Sequence, residues 1–286
     1  MCFKGAILKI KIIRKKEGKM HQLKLLSTDF DGTLVGYTPE ESCVDVLALE
    51  LENMERSGAL WSINTGRPLF YLLEGLEHFQ APIRPHYIMT NERHVYHYDD
   101  RQGWVAFGDW NQQCDLIHDE LFKTCGRFFE QVEDLVLEYG GAVTILDDLE
   151  GAPEGLLAEN EEMLDGITLR LMSLSHRPQD FLFQRTPICL RFCHRLYHKG
   201  AVLGELSRLL SIKSDHILAI GDHHNDLPMM HPQVAGMVAC PANAHEAIKR
   251  AVHEAGGHVS LHHAGAGTAE GIALYRQGNK KPRGNN

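Results

Sequence analysis

No run in this 286-residue chain stays apolar long enough to span a bilayer as a helix, which takes about 20 such residues. A basic excess is missing too. Against 29 Lys and Arg stand 38 Asp and Glu, a net charge of -9, whereas a phosphate backbone selects a basic face. Neither a membrane nor a nucleic acid is therefore expected as a partner. The seven Cys form no dense framework and no C-x-x-C pair, so reduced thiols and a cytoplasmic setting are expected. Cys189 and Cys193 fall close together on an expected strand, but a zinc site there would need two more ligands. No H-x-x-x-H pair sits on an expected helix, so the two histidines clustered in "SLHHAGAG" (260–267) read as surface or loop residues. Internal repeats and low-complexity segments are absent. Lys9 and Lys11 interrupt what would be the apolar core of a signal peptide, and residues 1–20 are expected to be a basic, disordered extension. A helix lying on a membrane surface is the alternative there.

What the chain does have is a set of short apolar runs that look like buried parallel strands. They are "LKLLST" (23–28), "GALWSIN" (58–64), "HYIMT" (86–90), "HILAI" (216–220) and "GMVAC" (236–240). Between some of them lie helical patterns. Val44, Leu47, Ala48, Leu51 and Met54 recur at three- and four-residue steps within 40–56, and residues 200–210 and 243–255 read as further helices. Such alternation predicts an α/β fold, a doubly wound parallel sheet.

The alternation breaks between residues 92 and 196. Ile117, Leu121, Cys125, Phe128, Val132 and Leu135 predict one long amphipathic helix. After it, "GITLRLMSL" and "ICLRFCHRL" alternate like half-buried strands, with Ile167, Leu169 and Leu171 on one face and Ile188, Leu190 and Phe192 on another. "LEGAPEG" (149–155) reads as a loop. The expected organisation is a core domain of residues 21–91 and 197–286 with an α+β unit, 92–196, inserted into it.

Chemistry gathers at the ends of the expected core strands, where open α/β sheets bind ligands. "LLSTDFDGTLVG" places Asp29 and Asp31 after the first strand, then Gly32 for a tight turn and Thr33 to bond the backbone. Alone, such a turn is common. "INTGRP" places Thr65, Gly66 and Arg67 after the second strand. They could hold a phosphate or simply start a helix, with Pro68 in its first turn. "GDHHND" places Asp222 and Asp226 four apart at a turn, oxygen ligands suited to Mg²⁺. "YHKGAV" places Lys199 before a helix, where it could meet the same phosphate or face solvent.

Taken together, "DFDGTL", "NTGR", "KG" and "GDHHND" resemble, in order, the four motifs of the haloacid dehalogenase (HAD) superfamily of phosphohydrolases, over roughly residues 23–276. The place of the insert, between the second and third motifs, and the tail "ACPANAHEAIKRAV" resemble the Cof-like sugar-phosphatase branch, whose insert is an α/β cap. The resemblance implies a Rossmann-like core and a Mg²⁺-dependent phosphatase of small phosphate esters, with sugar phosphates foremost. It implies Asp29 as nucleophile and Asp31 as acid and base. Thr65, Gly66 and Lys199 would hold the phosphoryl group. Mg²⁺ would sit on Asp29, the carbonyl of Asp31, Asp222 and Asp226, with Asn225 and Arg67 in support. His223 and His224 are expected to be turn residues. "NER" (91–93) stands where many relatives have Asn-Gly, which puts that tight turn in doubt. Arg170 and Arg191, opposite the apolar faces of the expected cap strands, either bind a substrate anion or lie on a solvated sheet face. A phosphotransferase of the phosphomannomutase type and an inactive binding protein are the alternative functions.

Overall fold

The computed structural model describes residues 22–36, 44–79, 83–147 and 153–276. The expected N-terminal extension and the start of the 40–56 helix lie outside the described residues. No helix among them is long and apolar enough to cross a membrane.

The expected core strands form as β1 (Leu25–Thr28), β2 (Leu60–Asn64), β3 (Tyr87–Thr90), β10 (Ile217–Ile220) and β11 (Met237–Cys240). With β12 (His258–Val259), β4 (His94–Asp99) and β5 (Gly103–Ala106) they make one eight-stranded sheet, ordered β12-β11-β10-β1-β2-β3-β4-β5. Pairing is parallel from β12 to β3 and antiparallel through β4 and β5. Alternate residues of each buried strand feed opposite cores. Leu26, Leu218 and Ile220 pack against α1 (Val44–Arg56), α2 (Leu69–Phe79) and α8 (Ala264–Arg276). Leu25, Ile217 and Ala219 pack against α6 (Lys199–Leu209) and α7 (Glu246–Glu254). That two-sided burial is why these strands read as unbroken apolar runs.

The second sheet is antiparallel, ordered β6-β7-β9-β8, from β6 (Val143–Asp147), β7 (Pro153–Ala158), β8 (Phe181–Arg185) and β9 (Cys189–His194). Two helices back it, α4 (Gly126–Leu137) and α5 (Glu161–Met172). Phe128, Val132, Leu164, Ile167, Leu171, Phe181 and Phe192 form its core.

The structure corrects four expectations. The insert does not begin at residue 92, because the β4–β5 hairpin extends the large sheet; strand-helix alternation fails there since a hairpin needs no helix. The single long helix is two, α3 (Trp110–Lys123) and α4, broken at Thr124 and Cys125. "GITLRLMSL" is not a strand but the second half of α5, where Leu164, Ile167 and Leu171 are buried at three- and four-residue steps while Leu169 is exposed. The Asn160 side chain caps that helix by accepting from Met163 N at 2.9 Å, and Glu161 and Glu162 favour its positive end. Pro153–Gly155, expected in a loop, begin β7.

Candidate active site

At the end of β1 the Asp29 N–H still donates to Ile220 O of β10 at 2.9 Å, which pins the side chain at the carboxyl edge of the sheet. The chain then turns back, with Gly32 N–H donating to Val35 O. Gly32 has φ +72°, a left-handed conformation that glycine adopts freely, and a Cβ there would overlap the Asp222 carboxylate. Asn243 clamps this turn by donating to Gly32 O at 2.7 Å. The Thr33 hydroxyl donates to Asp222 Oδ1 at 2.9 Å, tying the first motif to the fourth.

Lys199 opens α6 and is fully buried, so it is no surface lysine. Its Nζ lies 2.8 Å from Asp29 Oδ1 and 2.7 Å from Asp226 Oδ1. Burial alone would lower its pKa, but Asp226 and Asp29 together raise it above the ordinary lysine range. Asp226 Oδ2 accepts from the backbone N–H groups of Asp222 and His223, so both its oxygens are engaged. Burial pushes Asp29 well up, with repulsion from Asp226 and Asp222 adding to it against the pull of Lys199. For the same reasons Asp222 is pushed up to about 7, with Thr33 opposing.

Three buried acids this close are unfavourable unless a cation joins them. One oxygen each of Asp29, Asp222 and Asp226 falls within 4.8 Å of the others. An all-carboxylate donor set of this size fits a hard divalent ion such as Mg²⁺.

Asp31, by contrast, is half exposed. Arg67 grips it with both arms of the guanidinium, Nε to Oδ2 at 2.7 Å and Nη2 to Oδ1 at 2.5 Å, and its own pKa rises through that bond. Thr65 is buried beside it, its hydroxyl accepting from Arg67 N at 3.2 Å. These groups line a cleft of about 390 Å³ together with Gly66, Asp222 and Asn225.

The roof comes from the smaller sheet. Thr186 and Pro187 of the β8–β9 turn, and Cys189 and Arg191 of β9, line the cleft. Arg191 is thus placed where a substrate anion could reach it. Arg170 is not: on α5 it pairs with Glu138 at 2.8 Å, because the segment is helical and that face turns to solvent. His223, expected to be a plain turn residue, is buried and lines the cleft, and burial pushes its imidazole down to about 4. His224 begins the short 3₁₀ turn His224–Met230 that carries Asn225 and Asp226.

Pattern reading missed two residues here. Asn64, the last residue of β2, donates from Nδ2 to Lys199 O at 2.9 Å, which ties the second motif to the third. Glu92, fully buried, accepts from Asn225 Nδ2 at 2.8 Å. The only signal for Glu92 was an acid in the turn where glycine is common.

Residues 156–267 match the family model of haloacid dehalogenase-like hydrolases. No curated protein matches the chain significantly. Among solved structures, the sucrose-phosphatase of Synechocystis sp. PCC6803, in complex with sucrose and phosphate, superposes with a TM-score of 0.63 at 18% identity, over 89% of this chain and 98% of that one. YhjK of Bacillus subtilis, a haloacid dehalogenase-like hydrolase protein, gives 0.55 at 16% identity over 90% and 91%. BT1666 of Bacteroides thetaiotaomicron, described among phosphatases of the HAD superfamily, gives 0.56 at 17% identity over 93% and 97%. The chain thus matches haloacid dehalogenase-like hydrolases over residues 156–267, which carry the third and fourth motifs, and shares its fold with these solved structures.

Proposed function

We propose that this protein is a Mg²⁺-dependent phosphatase of small phosphorylated metabolites, sugar phosphates foremost, acting through an aspartyl-phosphate on Asp29. The observation that carries this reading is the buried Asp29 carboxylate held at 2.8 Å by Lys199 on the floor of a cleft. Lys199 fixes Oδ1, which leaves Oδ2 to attack phosphorus. As the new O–P bond forms, the ester P–O bond breaks and the leaving oxygen takes a proton from Asp31. Asp31, now a carboxylate, accepts a proton from water. That water's oxygen bonds to phosphorus, the bond to Asp29 breaks and phosphate departs.

Arg67 must release Asp31 before it can carry a proton, and an incoming phosphoryl group offers Arg67 a competing anion. Thr65 and the Gly66 backbone, with Lys199, would hold the phosphoryl oxygens. Asp29, Asp222 and the carbonyl of Asp31 would hold the ion, and Asp226 would support it directly or through water while orienting Lys199 and the turn. When bound, Mg²⁺ supplies positive charge that offsets the charge built up in transfer. The sugar-phosphate preference is supported by the placement of the cap and by the related fold that holds sucrose and phosphate.

The test is a screen of phosphorylated metabolites with Mg²⁺, scored by kcat/KM, run beside Asp29→Asn. Turnover of sugar phosphates that the variant lowers at least about a thousandfold is expected. Equal turnover by the folded variant would exclude Asp29 as nucleophile.

A further inference from the structure

Glu92 occupies a position that is costly in two ways. Asn91 and Glu92 stand in the three-residue β3–β4 connection, 91–93, with φ of 52° and 60°, both in the left-handed region. Arg93 N–H closes that turn onto Thr90 O at 3.0 Å. Asn tolerates this region well; Glu does so poorly, and glycine would serve better. The Glu92 side chain is also fully buried, and its Oε2 has no hydrogen-bond partner among the described residues. Folding alone favours neither choice, and strain held at a cleft points to use.

The contacts of Glu92 say what the use is. Its backbone N–H donates to Thr65 O at 3.0 Å. Its Oε1 accepts from Asn225 Nδ2 at 2.8 Å and lies 3.1 Å from where a Cβ on Gly66 would stand. Burial raises its pKa, and the charges of Lys199 and Arg191 oppose that rise. Through its backbone N–H and its carboxylate, this one residue therefore braces the turn after β2 against the turn that carries Asn225 and Asp226. Asn225 lines the cleft, and its own Oδ1 is buried with no partner among the described residues, so Glu92 is what fixes the direction of that amide.

We propose that Glu92 is a positioning residue for the reaction: through its carboxylate oxygen it aims the Asn225 amide into the cleft, at the cost of a strained turn. This rests on the phosphatase reading above. The experiment is a mutant cycle on p-nitrophenyl phosphate with Mg²⁺, using Glu92→Ala, Glu92→Gly, Glu92→Gln, Asn225→Ala and the double variant Glu92→Ala with Asn225→Ala. Each of Glu92→Ala, Glu92→Gly and Asn225→Ala should lower kcat about 10–100-fold with KM little changed, the scale of losing a residue that orients a site. The double variant should fall no further than the worse single. Glu92→Gln, which keeps the acceptor, should recover kcat to within about fivefold of wild type. Glu92→Gly should melt no lower than wild type, since it relieves the left-handed strain.

Losses that multiply in the double variant, a kcat loss that tracks a falling melting temperature, or full activity in Glu92→Ala would each overturn the proposal. If the wild type hydrolyses no phosphate ester, it is the phosphatase reading that fails. The same cycle is then scored by the rise in melting temperature that inorganic phosphate gives with Mg²⁺. Non-additive losses of that rise support the role of Glu92, and additive losses overturn it.

Discussion

Lys199 Nζ sits 2.8 Å from Asp29 Oδ1, and both groups are buried at the point where β1 ends and α6 begins. Two chain segments 170 residues apart thus meet at one ion pair, and Asp226 completes it from a third. Methionine would fill the space of Lys199 but leave two acids without their cation. Lys199→Met should lose about 3–5 kcal/mol of stability, the usual result of breaking one side of a buried pair. It should also lose about a hundredfold or more in kcat. Urea denaturation and steady-state kinetics check both; native stability with a native rate would show that the pair matters for neither.

Arg191 and Arg170 were equal candidates until the structure separated them. Arg191→Ala should raise KM for a sugar phosphate by about tenfold or more, the scale of a hydrogen bond to a charged group. Arg170→Ala should leave both constants within about twofold, because an exposed pair with Glu138 contributes little. Michaelis constants of the two variants on one substrate decide the matter. An effect of the same size in both would place the specificity element elsewhere.

His118, on α3, gives the fold an acid-sensitive point away from the chemistry. It is buried, stacked at 4.0 Å on Phe122, and burial pushes its imidazole down to about 3. The folded protein keeps it neutral, whereas the unfolded chain protonates it near the ordinary value of 6.5. Its contribution is therefore fully present above about pH 6.5 and is lost as the pH falls toward 3, by at most about 1.4 kcal/mol per pH unit. His118→Leu should flatten the fall in denaturation midpoint between pH 7 and pH 5. An unchanged slope would mean that other groups set the acid response.

The core strands and the four motifs were legible because their signals are local. Each strand is an apolar run, and each run ends on the polar residues that the sheet then gathers at one edge. The cap was harder. Ile167, Leu169 and Leu171 alternate as a strand would, and only Leu164 and the Asn160 cap show that the segment is a helix. Arg170 was misplaced with it. Glu92 and Asn64 were out of reach for a different reason: their partners, Asn225 and the Lys199 carbonyl, are more than a hundred residues away. No periodicity encodes such a contact.

In the proposed reaction Asp29 takes the phosphoryl group and Asp31 then releases it. Rapid mixing of Asp31→Asn with p-nitrophenyl phosphate and Mg²⁺, at comparable enzyme and substrate concentrations, tests it most directly. Nitrophenolate leaves without a proton, so the first step should survive while the second, which needs Asp31 as base, stalls. A burst of about one nitrophenol per active site is expected, with a slow phase after it and one phosphoryl group on the Asp29 peptide of acid-quenched enzyme. Nitrophenol release without a burst, from quenched enzyme that carries no phosphate, would contradict it.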